Sequence, residues 1–162
     1  MRKIFVDGEK CLGCHSCEMA CAVAHSISLS LIGAVAEDPS PVSRVYVEKN
    51  GSGGFPMQCR HCEDPYCVKA CVAKALYRET ADAPVQYDRA RCIDCWMCAI
   101  ACPFGVIGLK PAKCDLCAAR EGGPACVSAC KTGALCYADV DEYNHNKRRV
   151  YMGEMERRAV GE

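Results

Sequence analysis

The sequence predicts an α+β fold made of two similar halves, with long loops and few short helices and strands. Two observations lead to this prediction. Cysteine accounts for 17 of the 162 residues, and sixteen of these 17 fall into four groups of four. The spacing repeats along the chain, since the first group matches the third, 81 residues later, and the second resembles the fourth. A duplicated unit with two cysteine groups in each copy, related by a pseudo-two-fold axis, is the simplest account of this repeat.

The third group, in CIDCWMCAIACP at residues 92–103, indicates what kind of site the cysteines form. Its C-x₂-C-x₂-C-x₃-C-P spacing is that of bacterial iron–sulfur proteins. Three thiolates within about seven residues can hold one compact cluster, and the fourth cysteine then completes a second cluster. The proline after the fourth cysteine has no N–H group and turns the chain outward. The first group has the same spacing with Ala22 in place of proline, and together the two groups contain Cys11, Cys14, Cys17, Cys21, Cys92, Cys95, Cys98 and Cys102.

The second and fourth groups share a C-x₂-C…C-x₃-C frame with inner loops of four and eight residues. Structural zinc and disulfide bonds are the alternatives for such cysteines. Four-ligand zinc sites normally use two separated pairs, which the first and third groups do not form, so we rank iron–sulfur clusters above zinc and zinc above disulfides. The leftover Cys136 is expected to be a small buried hydrophobic residue. The eight ligands expected in these two groups are Cys59, Cys62, Cys67, Cys71, Cys114, Cys117, Cys126 and Cys130.

The groups can pair into clusters in two ways. Either the first group pairs with the second and the third with the fourth, or the second pairs with the third and the first with the fourth. Twenty residues separate Cys71 from Cys92, which is room for one hairpin, whereas thirty-seven separate Cys21 from Cys59. We therefore favour the second, nested pairing. Each cluster then takes three cysteines from one group and the last cysteine of the paired group: Cys59, Cys62 and Cys67 with Cys102; Cys92, Cys95 and Cys98 with Cys71; Cys11, Cys14 and Cys17 with Cys130; and Cys114, Cys117 and Cys126 with Cys21.

Short regular elements are expected between the cysteine groups. Apolar, β-branched and aromatic residues predict strands at residues 2–7, 44–49 and 133–137. Residues 18–25 suit a helix, and the stretches ALYRE and PVQYD suit the two arms of a hairpin. Residues 50–56, which contain three glycines, a serine and a proline, predict a turn at a hairpin tip.

Two segments outside the cysteine frame are expected to be docking surfaces. The stretch 26–43 reads as a long loop, and the tail has a weak helical pattern that Gly153 interrupts. Both retain apolar residues without a ligand role, so we expect them to mediate partner binding or self-association. The domain plan is a double domain at 1–138, with an inner two-cluster unit at 58–103 and an outer one formed by 1–25 and 112–137, followed by a docking tail at 139–162.

Charge and composition exclude several other classes of protein. The formal charge is balanced, with 20 basic and 20 acidic residues, and no basic stripe favours nucleic-acid binding. Apolar runs such as residues 4–6 are shorter than a secretory signal core or the roughly 20 residues of a membrane span. Clustered cysteines without those features are typical of a cytoplasmic protein that binds metal. The chain also lacks G-x-G-x-x-G, P-loop and H-E-x-x-H motifs, so no substrate site of its own is expected.

Several residues near the cysteines are candidates for adjusting the clusters. His15 and His61 sit inside C-x₂-C gaps, where we expect them either to donate hydrogen bonds to sulfur or to face solvent. Trp96 is expected to pack over a cluster. Nearby cations would favour the more negative, reduced form of a cluster unless they lie at the surface, where charges are screened within about 8 Å. These cations are Arg60, Lys69, Lys74, Lys110 and Lys113.

Four stretches carry a resemblance to a known family: CLGCHSCEMACAVAHS, QCRHCEDPYCVKAC, CIDCWMCAIACPFGVI and KCDLC…PACVSACKTGAL. Over residues 3–137 the chain resembles the four-cluster ferredoxin-like subunits that serve molybdenum and tungsten oxidoreductases, hydrogenases and carbon monoxide dehydrogenase. Phrases such as CAVAHS most resemble the electron-transfer subunits of carbon monoxide dehydrogenase. The chain departs from the family where Val72 and Lys131 replace the proline that often follows the second and fourth groups.

The resemblance implies a tandem, bacterial ferredoxin-like double domain that holds four [4Fe-4S] clusters on the sixteen cysteines. It implies a protein that passes on single electrons and is not itself an enzyme. The implied partner is carbon monoxide dehydrogenase, with a hydrogenase or a pyridine-nucleotide reductase as the second redox protein. An iron–sulfur subunit of a molybdenum or tungsten aldehyde or formate oxidoreductase is the alternative. A zinc or structural module that only scaffolds a complex is the third hypothesis.

Overall fold

The computed structural model describes residues 2–108 and 112–160. Short strands and helices of mixed order are joined by long loops. The strands are β1 (Lys3–Val6), β2 (Val45–Asn50), β3 (Gly53–Gln58), β4 (Leu76–Tyr77), β5 (Gln86–Tyr87) and β6 (Leu135–Ala138). The helices are α1 (Ser16–Ala24), α2 (Leu31–Ala36), α3 (Tyr66–Lys69), α4 (Met97–Ile100), α5 (Ala125–Ala129) and α6 (Val140–Val160), and 3₁₀ turns span Gly8–Lys10 and Arg89–Arg91.

The strands of the described ranges pair as three antiparallel two-stranded ladders, β1 with β6, β2 with β3, and β4 with β5. The first and third ladders have the same register relative to the cysteines. Leu76 pairs with Tyr87, and Leu135 pairs with Val6. In each pair one residue is the fifth after the last cysteine of a group, and the other is the fifth before the first cysteine of its partner group.

The β1–β6 and β4–β5 ladders also share a second contact. The Asp88 N–H donates to the Ala75 carbonyl at 2.8 Å, and the Asp7 N–H donates to the Ala134 carbonyl at 2.8 Å. Each aspartate side chain then caps the 3₁₀ turn that leads into a cysteine group. The β4–β5 ladder comes from one continuous stretch, whereas β1–β6 joins the two ends of the cysteine frame. This repeated geometry supports a pseudo-two-fold arrangement, and the tandem ferredoxin-like double domain stays a prediction.

Cysteines make up much of the two apolar clusters that form the core. The first cluster combines buried cysteines with Ile4, Val45, Leu116 and Leu135. The second combines them with Ala75, Leu76, Val85 and Ile107. Because metal binding couples to folding wherever the ligands lie in the core, the stability of this fold is expected to depend on what the cysteines bind.

Most of the predicted elements are confirmed. Strands β1, β2 and β6, helix α1 and the β4–β5 hairpin lie close to their predicted positions. The turn predicted at 50–56 is shorter than expected, because β3 already begins at Gly53. Gly54 faces the first cysteine loop, where its N–H donates to the Cys11 carbonyl at 3.2 Å. A Cβ atom at Gly54 would lie 2.9 Å from the Gly13 Cα, so only glycine allows this close approach.

The stretch 26–43, predicted as a long loop, contains helix α2, so that prediction is wrong in part. Ser30 caps the helix by accepting a hydrogen bond from the Gly33 N–H at 3.1 Å. The Glu37 carboxylate accepts hydrogen bonds from two backbone N–H groups near the start of the segment, at 3.1 and 2.8 Å. These two polar contacts close the segment on itself and stabilise a short helix that periodicity does not reveal.

Helix α6 continues through Gly153, so the predicted interruption of the tail is also wrong. One glycine inside a helix costs only about 1 kcal/mol relative to alanine. The start of the helix is well fixed, because the Asp139 side chain accepts a backbone N–H bond at 2.8 Å and Tyr143 stacks on Phe5 with ring centroids 4.0 Å apart. Among the helices of the described ranges, none is both long and apolar enough to cross a membrane.

Candidate iron–sulfur cluster sites

Each cysteine group lies on a loop that bends through left-handed backbone at equivalent positions. In all four groups the second residue after the first cysteine has a φ between 47° and 68°; these residues are Gly13, His61, Asp94 and Leu116. In the first and third groups the residue before the helix is left-handed as well, His15 with φ 58° and Trp96 with φ 63°. Such values are uncommon for residues other than glycine. The loops therefore curl tightly and bring the two cysteines of each C-x₂-C pair to one side.

Backbone N–H groups donate to several sulfur atoms. The Asp94 N–H lies 3.4 Å from the Cys92 Sγ, and the Leu116 N–H lies 3.4 Å from the Cys114 Sγ, at the same position of two different groups. A third bond of this kind, to the Sγ of Cys71, is 3.2 Å long. Hydrogen bonds to sulfur favour the thiolate, which is the form that binds metal. They are also among the determinants of cluster potential.

Two small pockets of the inner unit are lined by cysteines of both the second and the third group. One is bounded by apolar residues that include Val85 and Val106, and its cysteines are Cys59, Cys62, Cys67 and Cys102. The other lies beside Leu76 and Trp96, and its cysteines are Cys71, Cys92, Cys95 and Cys98. Four sulfurs around an apolar pocket suit a [4Fe-4S] cluster, so the residues present fit this cofactor. Cluster binding by these sixteen cysteines itself stays a prediction.

The cysteines of the first and fourth groups meet where α1 packs against α5. The pKa of Cys126 is raised, first by burial and then by the charges of Cys114 and Cys21, with Cys117 adding to them. These three cysteines are therefore its close neighbours. The buried members of the two groups are Cys17, Cys21, Cys114 and Cys126, and the more accessible members are Cys11, Cys14, Cys117 and Cys130.

Burial holds several of these thiols in their neutral form. It raises the pKa of Cys17 and Cys67 to about 11, and that of Cys114 to about 12. At the exposed Cys14, by contrast, the hydrogen bond with Ser16 lowers the thiol pKa. Since the thiolate is the ligand, metal binding at the buried positions must release protons.

The sequence did not indicate a charged network that joins the first and fourth groups. The Asp115 carboxylate accepts hydrogen bonds from the His25 Nε2 at 3.2 Å and from the Arg44 guanidinium at 2.5 Å. It also accepts one from the Cys117 N–H at 2.9 Å. The other nitrogen of His25, Nδ1, lies 2.7 Å from the Cys21 carbonyl oxygen and 3.7 Å from the Cys21 Sγ.

This network changes the protonation of its members. The hydrogen bond to Asp115, followed by that to Cys21, raises the pKa of His25 to about 10. Burial alone would raise the pKa of Cys21, but the His25 side chain and the Arg44 N–H, 3.3 Å from the sulfur, together lower it. Cys21 therefore lies beside a cation that favours its thiolate form. His25 lies four residues after Cys21 and Asp115 follows Cys114, but their contact spans 90 residues, which no local pattern reveals.

The two histidines inside C-x₂-C gaps behave differently. His15 is exposed and pairs with Glu18 at 2.9 Å, as expected for a histidine that faces solvent. His61 is only 2% exposed, and its Nδ1 accepts the Val85 N–H bond at 3.1 Å. Burial, and then the charge of Lys113, lower its pKa to about 3. His61 is thus neutral with its proton on Nε2, an atom without a partner among the described residues.

The candidate cations likewise divide into exposed and buried residues. Lys69 is exposed and pairs with Asp64 at 2.5 Å, and Lys74 also lies at the surface. Arg60 is half-buried, and Lys110 lies outside the described residues. Lys113 is only 4% exposed, so a solvated surface position is wrong for this residue. Trp96 lines the pocket that contains Cys71, Cys92, Cys95 and Cys98, and its packing over a cluster stays a prediction.

Cys136 is exposed on β6, so its prediction as a buried hydrophobic residue is wrong. Side chains alternate along a strand. Its neighbour Leu135 faces the core, and Ala138 is buried at the end of the strand. Cys136 thus lies apart from the buried sulfur atoms of the cluster sites.

Comparison with known proteins finds an iron–sulfur family and relatives named as electron-transport proteins. Residues 53–140 match the family described as 4Fe-4S dicluster domain. The putative electron transport protein YsaA of Escherichia coli strain K12 is 39% identical over 155 residues, covering 91% of this chain and 96% of that protein. The electron transport protein HydN of the same strain is 34% identical over 171 residues, covering 91% and 95%. The thiosulfate reductase electron transfer subunit PhsB of Salmonella typhi is 36% identical over 155 residues, covering 84% and 74%.

Proposed function

Because the chain belongs to the 4Fe-4S dicluster domain family, in which relatives are electron-transport proteins and electron-transfer subunits, we propose that it relays single electrons through four [4Fe-4S] clusters. The relay would run between a catalytic oxidoreductase and a second redox protein in the cytoplasm. The observation that carries this proposal is the pair of inner pockets, each lined by three cysteines of one group and the last cysteine of the other.

When bound, the clusters supply one-electron redox chemistry, and the chain supplies their surroundings. The sixteen cysteines would hold the iron in the nested sets named above. Backbone N–H groups such as that of Asp94 would donate to the ligand sulfurs. Apolar walls formed by Leu76, Val85 and Val106 would exclude water from the inner clusters. No residue is assigned to substrate chemistry, and we propose that the chain has no substrate site of its own.

The test of this function is metal and spectroscopic analysis of anaerobically purified protein. About sixteen iron atoms and as many sulfides per chain are expected, for four clusters of four irons each. Reduction with dithionite should bleach the broad visible absorption and produce EPR signals of reduced clusters. Protein that carries zinc in place of iron, or that shows no redox-active absorption, would overturn the proposal in favour of a structural module.

For the catalytic partner, we propose carbon monoxide dehydrogenase, with a hydrogenase or a pyridine-nucleotide reductase as the second redox protein. This proposal is supported by the resemblance of short sequence stretches such as CAVAHS to the electron-transfer subunits of carbon monoxide dehydrogenase. The alternative is a molybdenum or tungsten aldehyde or formate oxidoreductase, and the relative PhsB is named as serving another reductase. Affinity purification of the tagged protein from its native host, followed by identification of what co-purifies, decides between these partners.

Two segments are proposed as docking surfaces for the partner or for a second copy of the chain. Segment 26–43 exposes apolar side chains, with Ile27 93% and Ile32 87% exposed. Leu29 of this segment lines a cavity of about 660 Å³ that also touches Cys117 and Arg120, at the outer cluster site. A partner covering this patch would lie next to a predicted cluster. Helix α6 is the second segment, with Val150, Tyr151, Met152 and Met155 exposed.

A further inference from the structure

Lys113 carries a charge in the interior of the protein. It is only 4% exposed, and its Nζ donates hydrogen bonds to the Val85 carbonyl at 2.7 Å and to the Cys114 carbonyl at 3.2 Å. Within residues 2–108 and 112–160 no carboxylate forms an ion pair with it. Two neutral carbonyl groups therefore occupy two of the three N–H bonds of a buried ammonium group.

The ammonium group lies between an inner and an outer cluster site. Its acceptor Val85 lines the inner pocket whose cysteines are Cys59, Cys62, Cys67 and Cys102. Its other acceptor, Cys114, is the first ligand expected at an outer cluster. The two sites are close to each other: burial raises the pKa of the Cys114 thiol, and the charge of Cys59 adds to this. Burial raises the pKa of Cys67, the charge of Cys59 adds to this, and Lys113 opposes it, which also places the ammonium near the inner site.

A buried charge without a counter-ion is unfavourable, because it has lost its hydration and gained too little in return. Carbonyl dipoles compensate only part of this loss. On the proposed function, each adjacent oxidised cluster with its four thiolates has a net charge of about −2, which supplies the missing anion. Since the ammonium is shielded from solvent, salt screens its effect on these clusters far less than that of a surface lysine.

We propose that Lys113 is a fixed internal cation that raises the reduction potentials of the two clusters beside it, relative to the other two. These are the cluster of Cys59, Cys62, Cys67 and Cys102 and the cluster of Cys114, Cys117, Cys126 and Cys21. Each reduction adds one negative charge to a cluster, and a nearby positive charge favours that step. Electrons in the partly reduced protein would therefore reside on these two neighbouring clusters, one in each unit. The inference rests on the proposed four-cluster relay.

The test compares three substitutions at this position by redox titration of the holoprotein, followed by EPR and visible absorption. Lys113→Gln removes the charge and keeps an N–H donor, Lys113→Met removes both, and Lys113→Arg keeps the charge. The matched control is Lys131→Met, because Lys131 also adjoins an expected ligand, Cys130, but is exposed. The potentials of two of the four clusters should become more negative in the Gln and Met variants. They should stay close to the wild-type values in the Arg variant and in the control.

Iron content and thermal stability separate the outcomes. If Lys113→Met loses iron or fails to fold, the inference is tested by comparing the cluster potentials of Lys113→Gln and Lys113→Arg, both measured at full iron content. Unchanged potentials in Lys113→Gln, or equal shifts in Gln and Arg, would overturn the inference. Equal shifts in the Lys131→Met control would do the same, since a surface charge would then act as strongly. Absence of clusters from the wild-type protein would instead contradict the proposed function.

Discussion

Cys102 and Cys136 are two cysteines that the structure places in different surroundings. Cys102 ends the third group and lines the pocket that also contains Cys59, Cys62 and Cys67. Cys136 is exposed on the outer face of β6. The pair therefore offers a direct comparison between an expected ligand and a cysteine outside the cluster sites.

We expect Cys102→Ser to lose about four of the sixteen iron atoms, because one cluster loses a thiolate ligand. Cys136→Ser should retain the full iron content and the full visible absorption. Iron and sulfide analysis of both purified variants measures the difference. Equal iron content in the two variants would show that Cys102 is not a required ligand and would weaken the nested pairing.

Asp115 forms a polar link between the first and fourth groups. Its carboxylate accepts hydrogen bonds from His25, Arg44 and the Cys117 N–H. Hydrogen bonds to charged groups contribute about 1.5–3 kcal/mol each when buried, but this side chain is 48% exposed, so the contribution is smaller.

We expect Asp115→Asn to lower the free energy of unfolding by about 1–3 kcal/mol, since it leaves two cations without their counter-ion. Thermal unfolding followed by circular dichroism measures this change in the holoprotein. The matched control is Asp64→Asn, which removes the partner of the exposed Lys69 and should leave the Tm nearly unchanged. A change in Tm no larger for Asp115→Asn than for this control would show that the network contributes little.

At the scale of single elements, helix α2 is held in place by polar contacts and presents Leu31, Ile32 and Val35 to solvent. Ser30 caps it and Glu37 closes the segment around it. Exposed apolar residues on a segment ordered in this way suit a preformed binding surface. The stability of the protein should therefore not depend on the side chain of Ile32.

Ile32→Glu is expected to weaken co-purification of the partner at least about tenfold, because a carboxylate would be desolvated in the interface. Iron content and Tm should stay as in the wild type. Ile32→Val is the control, because it keeps an apolar side chain of nearly the same shape. If the complex forms equally well with all three proteins, segment 26–43 is not the docking surface.

Helix α6 has two parts with different contacts. Its first turn stacks Tyr143 on Phe5, whereas the large apolar side chains from Val150 to Met155 are exposed. A chain that ends after Asn146 keeps the stacked tyrosine and loses the exposed apolar residues. We expect this truncation to leave iron content and Tm unchanged and to weaken association with the partner or with a second copy. Light scattering and co-purification measure both associations, and no change in either would exclude a docking role of α6.

For the whole molecule, the two core clusters contain many of the cysteines, so the fold and its cofactors are linked. We expect removal of iron by a chelator under mild oxidation to lower the Tm by at least about 10 °C, which corresponds to roughly 3 kcal/mol or more. Far-UV circular dichroism before and after removal, with reconstitution from iron and sulfide as the control, measures this. A metal-free protein as stable as the holoprotein would show that apolar packing alone maintains the fold.

The spacing of the cysteines predicted those features of the structure that local backbone geometry controls. Cysteines with two or three residues between them lie on one tight loop, and the short gap between Cys71 and Cys92 leaves room for one hairpin, so these loops and the β4–β5 hairpin were predictable. Contacts between distant residues were not. The burial of Lys113, the Asp115 network and the capping role of Glu37 each depend on groups brought together by the fold. Local patterns carry no information about such pairs.

The pairing of β1 with β6 has a consequence for how the protein is made. Strands β4 and β5 and the second and third cysteine groups come from one continuous stretch, so they can come together while the chain is still leaving the ribosome. Strand β1 must wait for β6, whose register partner of Lys3 is Ala138. Until then the thiols of the first group have no neighbours from the fourth. On the proposed function, cluster insertion at the outer sites would therefore be a late event, and the first group would be the one most exposed to oxidation during synthesis.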